Sequence, residues 1–344
     1  MEQIHKKNHY VPRGYLKNWQ DSEGKVAVYR TLVERSDIPL WRKRSVAAVA
    51  YQNHLYTRVV ASKESDEVEQ WFDKNFESPS MPVIKKVINN DRLSVEDWRI
   101  LIRFLAAQDV RTPFRMIEHI KRFQEFIPET LAEIMKNLPQ RMVESKISGI
   151  ALDSNKNSSL LPLKVTSELV AGADQGFIKA ETYVGRASWI FGMKHLLEKT
   201  INILYSHKWT IVAPAEGYDW FTSDNPVVKL NYQTADQYDL HGGWGVKNGN
   251  IFFPLGPKHA MFVQIGCYPP KRGSRLDVDL TRAMRKFSAE NAYRYVFSNK
   301  FDPEISHIRE RTVDQESLRR EREMFSAWHE ENAQQEVEFF RENK

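Results

Sequence analysis

Residues Ile190–Ala213, IFGMKHLLEKTINILYSHKWTIVA, contain the change of periodicity that decides the fold class. Apolar residues in the first part recur three or four positions apart, as on one face of an α-helix. They are Ile190, Met193, Leu196, Leu197, Ile201 and Leu204. From Lys208 the segment KWTIVA is short, aromatic and β-branched, which is typical of a buried strand. We therefore expect helices before this point and strands after it.

The sequence on either side extends the same division. Residues 63–205 are rich in helical spacing. Within them Ser94 is a favourable N-cap residue with Asp97 three positions later, and Pro113 is expected to end the helix that follows. Residues 206–300 contain short apolar runs separated by Gly, Pro and Asn, which predict strands.

The order of these regions predicts the fold class and the domain organisation. Lys25–Thr31 alternates and predicts an early strand, and two further helices are expected at residues 115–126 and 128–146. A little β-structure, then many helices, then a β-rich block is typical of an α+β fold. We expect residues 1–308 to form a single α+β domain, and residues 309–344 to form a charged C-terminal helix.

The net charge of +5 is unevenly distributed. Residues 309–344 contain seven basic and ten acidic residues, which gives −3, so residues 1–308 carry +8. The first 44 residues contribute ten Lys and Arg against five acids. A basic body attracts polyanions by counterion release. The alternative is an ordinary solvated surface that favours solubility.

The composition excludes several classes of protein. With 9 Trp, 13 Tyr and 18 Phe the chain is too aromatic for a disordered protein. A membrane span needs about 20 apolar residues, whereas the longest clean apolar stretch is Val46–Tyr51. The N-terminal residues lack an apolar signal-peptide core, and the single Cys267 cannot form an internal disulfide. We therefore expect a cytoplasmic protein with no membrane association.

The first motif that could carry chemistry is His9-Tyr-Val-Pro12. His5 and His9 are four positions apart, a spacing that suits a metal pair only on a helix. Pro12 restricts the residue before it to extended geometry, so no zinc site is expected here. Either His9 is a reactive side chain, or it is a structural histidine satisfied by hydrogen bonds.

The second motif is Gln108-Asp-Val-Arg-Thr-Pro113. Gln108 and Arg111 are three positions apart and therefore lie on one helix face. The guanidinium of Arg111 offers a rigid fork for a carboxylate or a phosphate. The alternative is an internal ion pair that anchors the end of the helix.

The third motif, Phe221-Thr-Ser-Asp-Asn-Pro-Val227, places four small polar residues between a strand and a proline. Asp224 at this place offers a base, a nucleophile or a metal ligand, with Thr222, Ser223 and Asn225 as orienting groups. The alternative is a turn in which these side chains cap backbone groups. Nucleotide-binding glycine loops, H-E-x-x-H, G-x-S-x-G and paired C-x-x-C motifs are absent from the sequence.

Short motifs along the chain occur in a recognisable order. They are His9-Tyr-Val-Pro12, Tyr15-Leu-Lys-Asn-Trp19, Leu55-Tyr-Thr57, Phe76-Glu77, Gln108 to Pro113, Thr222-Ser-Asp-Asn-Pro226 and Phe253-Pro-Leu-Gly-Pro257. This order resembles the large, mostly bacterial family catalogued as domain of unknown function 4238. The resemblance spans nearly the whole chain, up to about residue 300, and leaves the charged tail outside it.

The resemblance implies that the polar residues of these motifs converge in one pocket. His9, Glu77 and Asp224 would be the catalytic residues, as acid, base or metal ligands. The substrate-binding residues would be Gln108, Arg111, Thr222, Ser223 and Asn225, with Arg111 holding a phosphate. No cofactor is specified by these residues, although a divalent metal is compatible with them.

Members of this family are similar to proteins of phage-defence gene clusters. The resemblance therefore implies an anti-phage effector that acts on nucleic acid or a nucleotide, as a hydrolase or nuclease. One alternative is a non-enzymatic sensor that recognises a phage protein or a nucleotide, with the C-terminal helix as its partner surface. The other alternative is a metabolic hydrolase unrelated to phage.

Overall fold

The computed structural model describes residues 4–60, 63–148, 163–169 and 176–341. Short strands dominate the N-terminal part, joined by helical turns at Arg13–Leu16, Lys17–Trp19 and Val46–Ala48. The elements of this part are β1 (Lys7–His9), α1 (Arg13–Leu16), β2 (Lys25–Arg30), β3 (Leu32–Val33), β4 (Trp41–Ser45), β5 (Tyr51–Asn53), β6 (Arg58–Val60) and β7 (Lys63–Ser65). The strand predicted at Lys25–Thr31 is confirmed as β2.

Helices dominate the middle part. Its elements are α2 (Glu67–Phe72), α3 (Ser78–Ile88), α4 (Val95–Val110), α5 (Pro113–Ser148), β8 (Leu163–Leu169), β9 (Gly176–Thr182), α6 (Arg186–His195) and α7 (Asn202–Tyr205). Wider π-helical turns at Asp73–Glu77 and Leu196–Thr200 join α2 to α3 and α6 to α7. The hairpin of β8 and β9 interrupts the segment that the sequence predicts as helical.

Strands return in the C-terminal part, and the α+β class is confirmed. The elements are β10 (Thr210–Ala213), β11 (Thr222–Ser223), β12 (Val228–Thr234), β13 (Gln237–Asp239), β14 (Asn250–Gly256), β15 (His259–Gln264), β16 (Ser274–Arg275), α8 (Val278–Asn291), β17 (Tyr295–Ser298), α9 (Pro303–Ile308), β18 (Thr312–Val313) and α10 (Gln315–Arg341). The change from helix to strand predicted near residue 205 falls between α7 and β10.

Local signals decide the ends of α4, as the sequence predicts. The Ser94 side chain accepts from the backbone N–H of Asp97, and the Asp97 side chain accepts in return from Ser94. This capping box satisfies backbone donors that the first turn leaves free. At the other end the helix stops at Val110, and α5 begins at Pro113, where a missing N–H costs nothing.

The long helix α5 differs from the sequence prediction of two helices. It continues through Pro128 without a break. A proline inside a helix frees the carbonyl four residues earlier, here that of Gln124. Gln124 is exposed, so solvent can reach this carbonyl and the interruption is inexpensive.

Two sheets bring distant parts of the chain together. The larger sheet has the order β13-β12-β14-β15-β10-β16, and the smaller has the order β11-β17-β2-β4. The smaller sheet therefore combines N-terminal strands with C-terminal ones, and β4 is its edge strand. Tyr15 and Asn18 tie the N-terminal motif to the larger sheet by donating to the carbonyls of Pro254 at 2.6 Å and Leu255 at 2.9 Å.

The charged C-terminal helix α10 packs along the body of the protein. Trp328 is buried and donates its indole N–H to the carbonyl of Leu55 at 3.2 Å. Glu336 and Arg186 form an ion pair in which both side chains are buried. The apolar side of this helix is therefore packed on its own chain at Trp328. Among the described residues, no helix combines the length and the apolar character needed to cross a membrane.

Candidate functional site

Arg111 lies at the end of α4 and is fully buried. Its guanidinium donates to Oε1 of Glu77 at 2.5 Å and to the carbonyl of His9 at 2.8 Å. The guanidinium carbon also lies 4.2 Å from the centre of the Phe72 ring, a cation–π contact. These contacts occupy the guanidinium with partners inside the protein. The geometry therefore favours the ion-pair interpretation of Arg111 over a phosphate-binding one.

Glu69, which the sequence analysis did not single out, belongs to the same cluster. Its Oε2 lies 3.9 Å from a guanidinium nitrogen of Arg111. Burial raises the pKa of Glu69 to about 7, Arg111 opposes this shift, and the charge of Glu77 reinforces it. The signal that could have identified it is its position, about two helical turns before Glu77.

We expect the substitution Glu69→Gln to remove a pH dependence of stability. The pKa of Glu69 is raised in the folded state, so its stabilising contribution is complete below about pH 4.5 and is lost as the pH rises through 7. Glutamine mimics the protonated carboxyl at every pH. The variant should therefore gain stability relative to wild type between about pH 5 and pH 7, by at most about 1.4 kcal/mol per pH unit.

Urea unfolding of wild type and variant across this pH range measures the difference directly. Glu67→Gln is the matched control, since Glu67 lies on the same helix α2 with an exposed side chain. A stability difference for Glu69→Gln that stays constant with pH would contradict the raised pKa.

The His9 imidazole is partly buried and lies 5.7 Å from the ring of Tyr51. Burial, followed by the charges of Lys7 and Arg13, lowers the pKa of His9 to about 4, so the ring is neutral at pH 7. Its Nε2 has no hydrogen-bond partner among the described residues. Nε2 is thus not engaged by another described group, and a catalytic role for His9 stays a prediction.

Asp224 is buried and binds backbone groups with both carboxylate oxygens. Oδ1 accepts from the N–H of Tyr293 at 2.8 Å, and Oδ2 accepts from the N–H groups of Arg294 and Tyr295 at 2.7 and 3.0 Å. Burial raises the pKa of Asp224 to about 7, although these three donors oppose the shift. The arrangement is that of a side chain that caps the chain entering β17.

The neighbours of Asp224 are also engaged. Thr222 shares a 2.8 Å hydrogen bond with the Tyr15 hydroxyl. Ser223 accepts from the N–H of Asn225 at 3.2 Å, and Asn225 donates its amide to the carbonyl of Asn291 at 3.0 Å. These contacts match the interpretation of residues 221–227 as a turn held by its own side chains.

The two groups of predicted site residues meet through Thr112, whose hydroxyl donates to Oδ1 of Asn225 at 3.3 Å. Glu77, His9 and Arg111 form one cluster, and residues 222–225 form its neighbour. Gln108 is fully buried, and neither atom of its amide has a partner among the described residues. Their catalytic and substrate-binding roles stay predictions, since most of these side chains already bind internal partners.

A cleft of about 970 Å³ lies beside these clusters, between the face of β2 and β4 and the helix α10. The sheet wall presents alternate residues of its strands, Val28, Arg30, Arg42 and Arg44, together with Leu40 just before β4. The helix wall presents residues three and four positions apart: Leu318, Glu321, Arg322, Phe325, Ser326 and His329. Asp224 is the predicted site residue that lines this cleft.

Three arginines of the sheet wall, Arg30, Arg42 and Arg44, carry the charge of the cleft. Alternate residues of a strand are about 7 Å apart on the same face. Within the part of the chain that the structure describes, no acidic group lies within 4.0 Å of these three guanidinium groups. By contrast Lys43, on the other face of β4, pairs with Asp21 at 2.8 Å.

Of the acidic residues that line the cleft, Glu321 is paired with a cation and Asp224 is bound by three backbone N–H groups. Glu321 accepts from Arg294 at 2.6 Å and from the Tyr293 hydroxyl at 3.0 Å. Arg322 on the same helix pairs with Glu34 at 3.0 Å. The free charge of the cleft is therefore positive and is concentrated on the sheet wall.

Two histidines of the cleft form a cluster with Glu64, and these residue types are common metal ligands in proteins. Donor atoms of His54, Glu64 and His329 all lie within 4.8 Å of one another. His329 contacts Glu64 through Nε2 at 2.8 Å and Arg186 through Nδ1 at 3.0 Å. Because a guanidinium only donates, Nδ1 accepts and the ring proton resides on Nε2. A metal at Nε2 would have to displace that proton, so the geometry favours a hydrogen-bonded cluster.

Comparison with known proteins identifies the family. A family model described as "Protein of unknown function (DUF4238)" matches residues 7–302, and the chain belongs to this family. The resemblance noted in the sequence is thus confirmed. No curated protein and no solved structure matches the chain. The family match ends before β18 and α10, so the helix wall of the cleft lies outside it.

In the sequence the basic residues of the cleft are part of the N-terminal excess of Lys and Arg, and no motif places them in a site. The usable signal was the alternation at Arg42 and Arg44 on a short exposed strand. The second signal was the spacing of Leu318, Phe325 and His329 on one helix face. Neither pattern indicates alone that the two surfaces face each other.

Proposed function

We propose that this protein binds a phosphate-bearing ligand, a nucleotide or a nucleic acid, in the cleft between β4 and α10. The observation that carries the proposal is the row formed by Arg30, Arg42 and Arg44, which have no acidic partners within the described part of the chain. An unpaired guanidinium offers planar, bidentate recognition of phosphate. The charge of +8 on residues 1–308 supports attraction of such a ligand.

Binding is better supported than turnover. Glu77 is bound by Arg111, and Asp224 is bound by three backbone N–H groups. A general acid or base must reach the reacting atom directly or through one water. The proposed role in the cell is that of an anti-phage effector or sensor in the cytoplasm, for which the phosphate-binding cleft would recognise the foreign or altered ligand.

The double substitution Arg42→Ala and Arg44→Ala is expected to weaken binding of phosphate-bearing ligands by about tenfold or more. Both side chains are exposed on an edge strand, so the fold should be retained. Fluorescence anisotropy with labelled DNA, RNA and a nucleotide analogue measures the affinity. Lys43→Ala is the matched control, because its side chain lies on the opposite face of β4 and pairs with Asp21.

The proposal fails if no ligand of this panel binds, or if the double variant binds as well as the Lys43→Ala control. In cells that express the protein, a phage-plating assay should distinguish the same variants. Protection should be lost in the double variant and retained in the Lys43→Ala control. Incubation of labelled nucleic acid with and without a divalent metal tests turnover, and cleavage by the wild type would support the enzymatic alternative.

A further inference from the structure

We infer that the ligand of the cleft is a single-stranded nucleic acid of about five nucleotides, bound without sequence preference. This inference rests on the proposed phosphate-binding function. It is motivated by three features of the same walls: the repeated arginines, the aromatic rings that line the cleft with them, and the length of the helix on the opposite wall.

Aromatic side chains accompany the arginines in the cleft. Tyr51, Tyr295 and Phe325 line it together with Arg30, Arg42 and Arg44. The Tyr51 side chain is partly exposed, and the ammonium of Lys7 lies 3.8 Å from the centre of its ring. Combining cationic groups along a backbone with aromatic platforms for unpaired bases is the usual way to bind single strands.

The helix wall gives the expected length of the ligand. Its cleft-lining residues run from Leu318 to His329, which corresponds to about 16 Å of helix. Stacked nucleotides advance by about 3.4 Å each along a strand. The wall therefore faces about five nucleotides, whereas a mononucleotide would leave part of the arginine row without a phosphate.

The two walls also disfavour a duplex. In a duplex the bases are paired and stacked inside, so their faces are not available to the rings of Tyr51 and Phe325. Arg42 and Arg44 follow one strand of the sheet and therefore present a single line of charge. One line of charge fits one phosphate backbone, and α10 stands on the other side of it.

The inference is tested with the full chain and labelled oligothymidylates and oligouridylates of increasing length. Affinity should rise up to about five nucleotides and then level off, and it should exceed that for a duplex of equal length and for ATP. If three phosphates are contacted, a plot of the logarithm of the association constant against the logarithm of the salt concentration should have a slope of about −2. The double variant at Arg42 and Arg44 should reduce this slope by about 1.4, and Lys43→Ala should leave it unchanged.

The outcomes separate this inference from the proposed function. Equal or tighter binding of the duplex or of ATP overturns the single-strand inference and leaves phosphate binding in place. Tighter binding of an oligoglutamate peptide than of oligothymidylate also overturns it, because β4 would then act as an edge strand for an acidic chain. Absence of binding by every nucleic acid and nucleotide overturns both. A second variant, Tyr51→Ala, should weaken oligonucleotides about tenfold while affecting ATP less.

Discussion

Replacement of Glu336 with glutamine is expected to lower the free energy of unfolding by about 3–5 kcal/mol. Glu336 and Arg186 are 1% and 0% exposed. The two carboxylate oxygens accept from Nε and a terminal nitrogen of Arg186 at 3.0 and 2.8 Å. One of them also accepts from the N–H of Val59 at 2.7 Å. Glutamine keeps the volume but leaves a buried guanidinium without a counter-charge, which is the costly case.

Urea unfolding of the purified chain measures this loss. Glu316→Gln is the matched control on the same helix, since Glu316 forms only exposed pairs with Arg319 and Arg320 and should change stability little. Hydrogen exchange along α10 should be faster in the Glu336 variant, because this pair holds the helix against the body. A loss no larger than that of the control would contradict the structural importance of the pair.

The substitution Arg111→Met is expected to be comparably destabilising, by about 3–5 kcal/mol. Methionine occupies the space of the side chain but provides no charge for Glu77, and it removes the cation that opposes the raised pKa of Glu69. It also leaves the carbonyl of His9 without its 2.8 Å donor. The expected consequence is a large fall in the midpoint of urea unfolding.

Two further variants make this prediction specific. Arg99→Met on the same helix α4 is the control. Arg99 is exposed, and its ion pair with Glu96 at 3.7 Å is exposed as well, so its loss should change stability little. Adding Glu77→Gln to Arg111→Met should restore part of the stability, since it removes one uncompensated charge. If Arg111 instead holds a phosphate, Arg111→Met should abolish ligand binding while the unfolding midpoint remains near that of wild type.

Helix ends and strand starts could be predicted from the sequence because their causes are local. Ser94 and Asp97 are three residues apart and cap each other whatever the rest of the chain does. The halt of α4 before Pro113 also follows from the missing N–H of one residue. The continuity of α5 through Pro128 could not be predicted from the sequence, because it depends on whether solvent reaches one backbone carbonyl.

The predicted site residues illustrate a different limit. The motifs at residues 108–113 and 222–226 do lie together, through the contact of Thr112 with Asn225. Whether Arg111 and Asp224 face a ligand or an internal partner cannot be read from their spacing. That depends on Glu77 and on the backbone of residues 293–295, which are far away in sequence.

The sequence by itself determined the α+β class, the family, and a basic body joined to a charged C-terminal helix. Each of these follows from local periodicity, composition or short motifs. Only the tertiary structure decided which charges remain free. Arg42 and Arg44 line a cleft because β4 is an edge strand opposite a helix nearly 280 residues later. Arg111 is buried because its partners come from three separate segments, and pairing at such separations is set by packing alone.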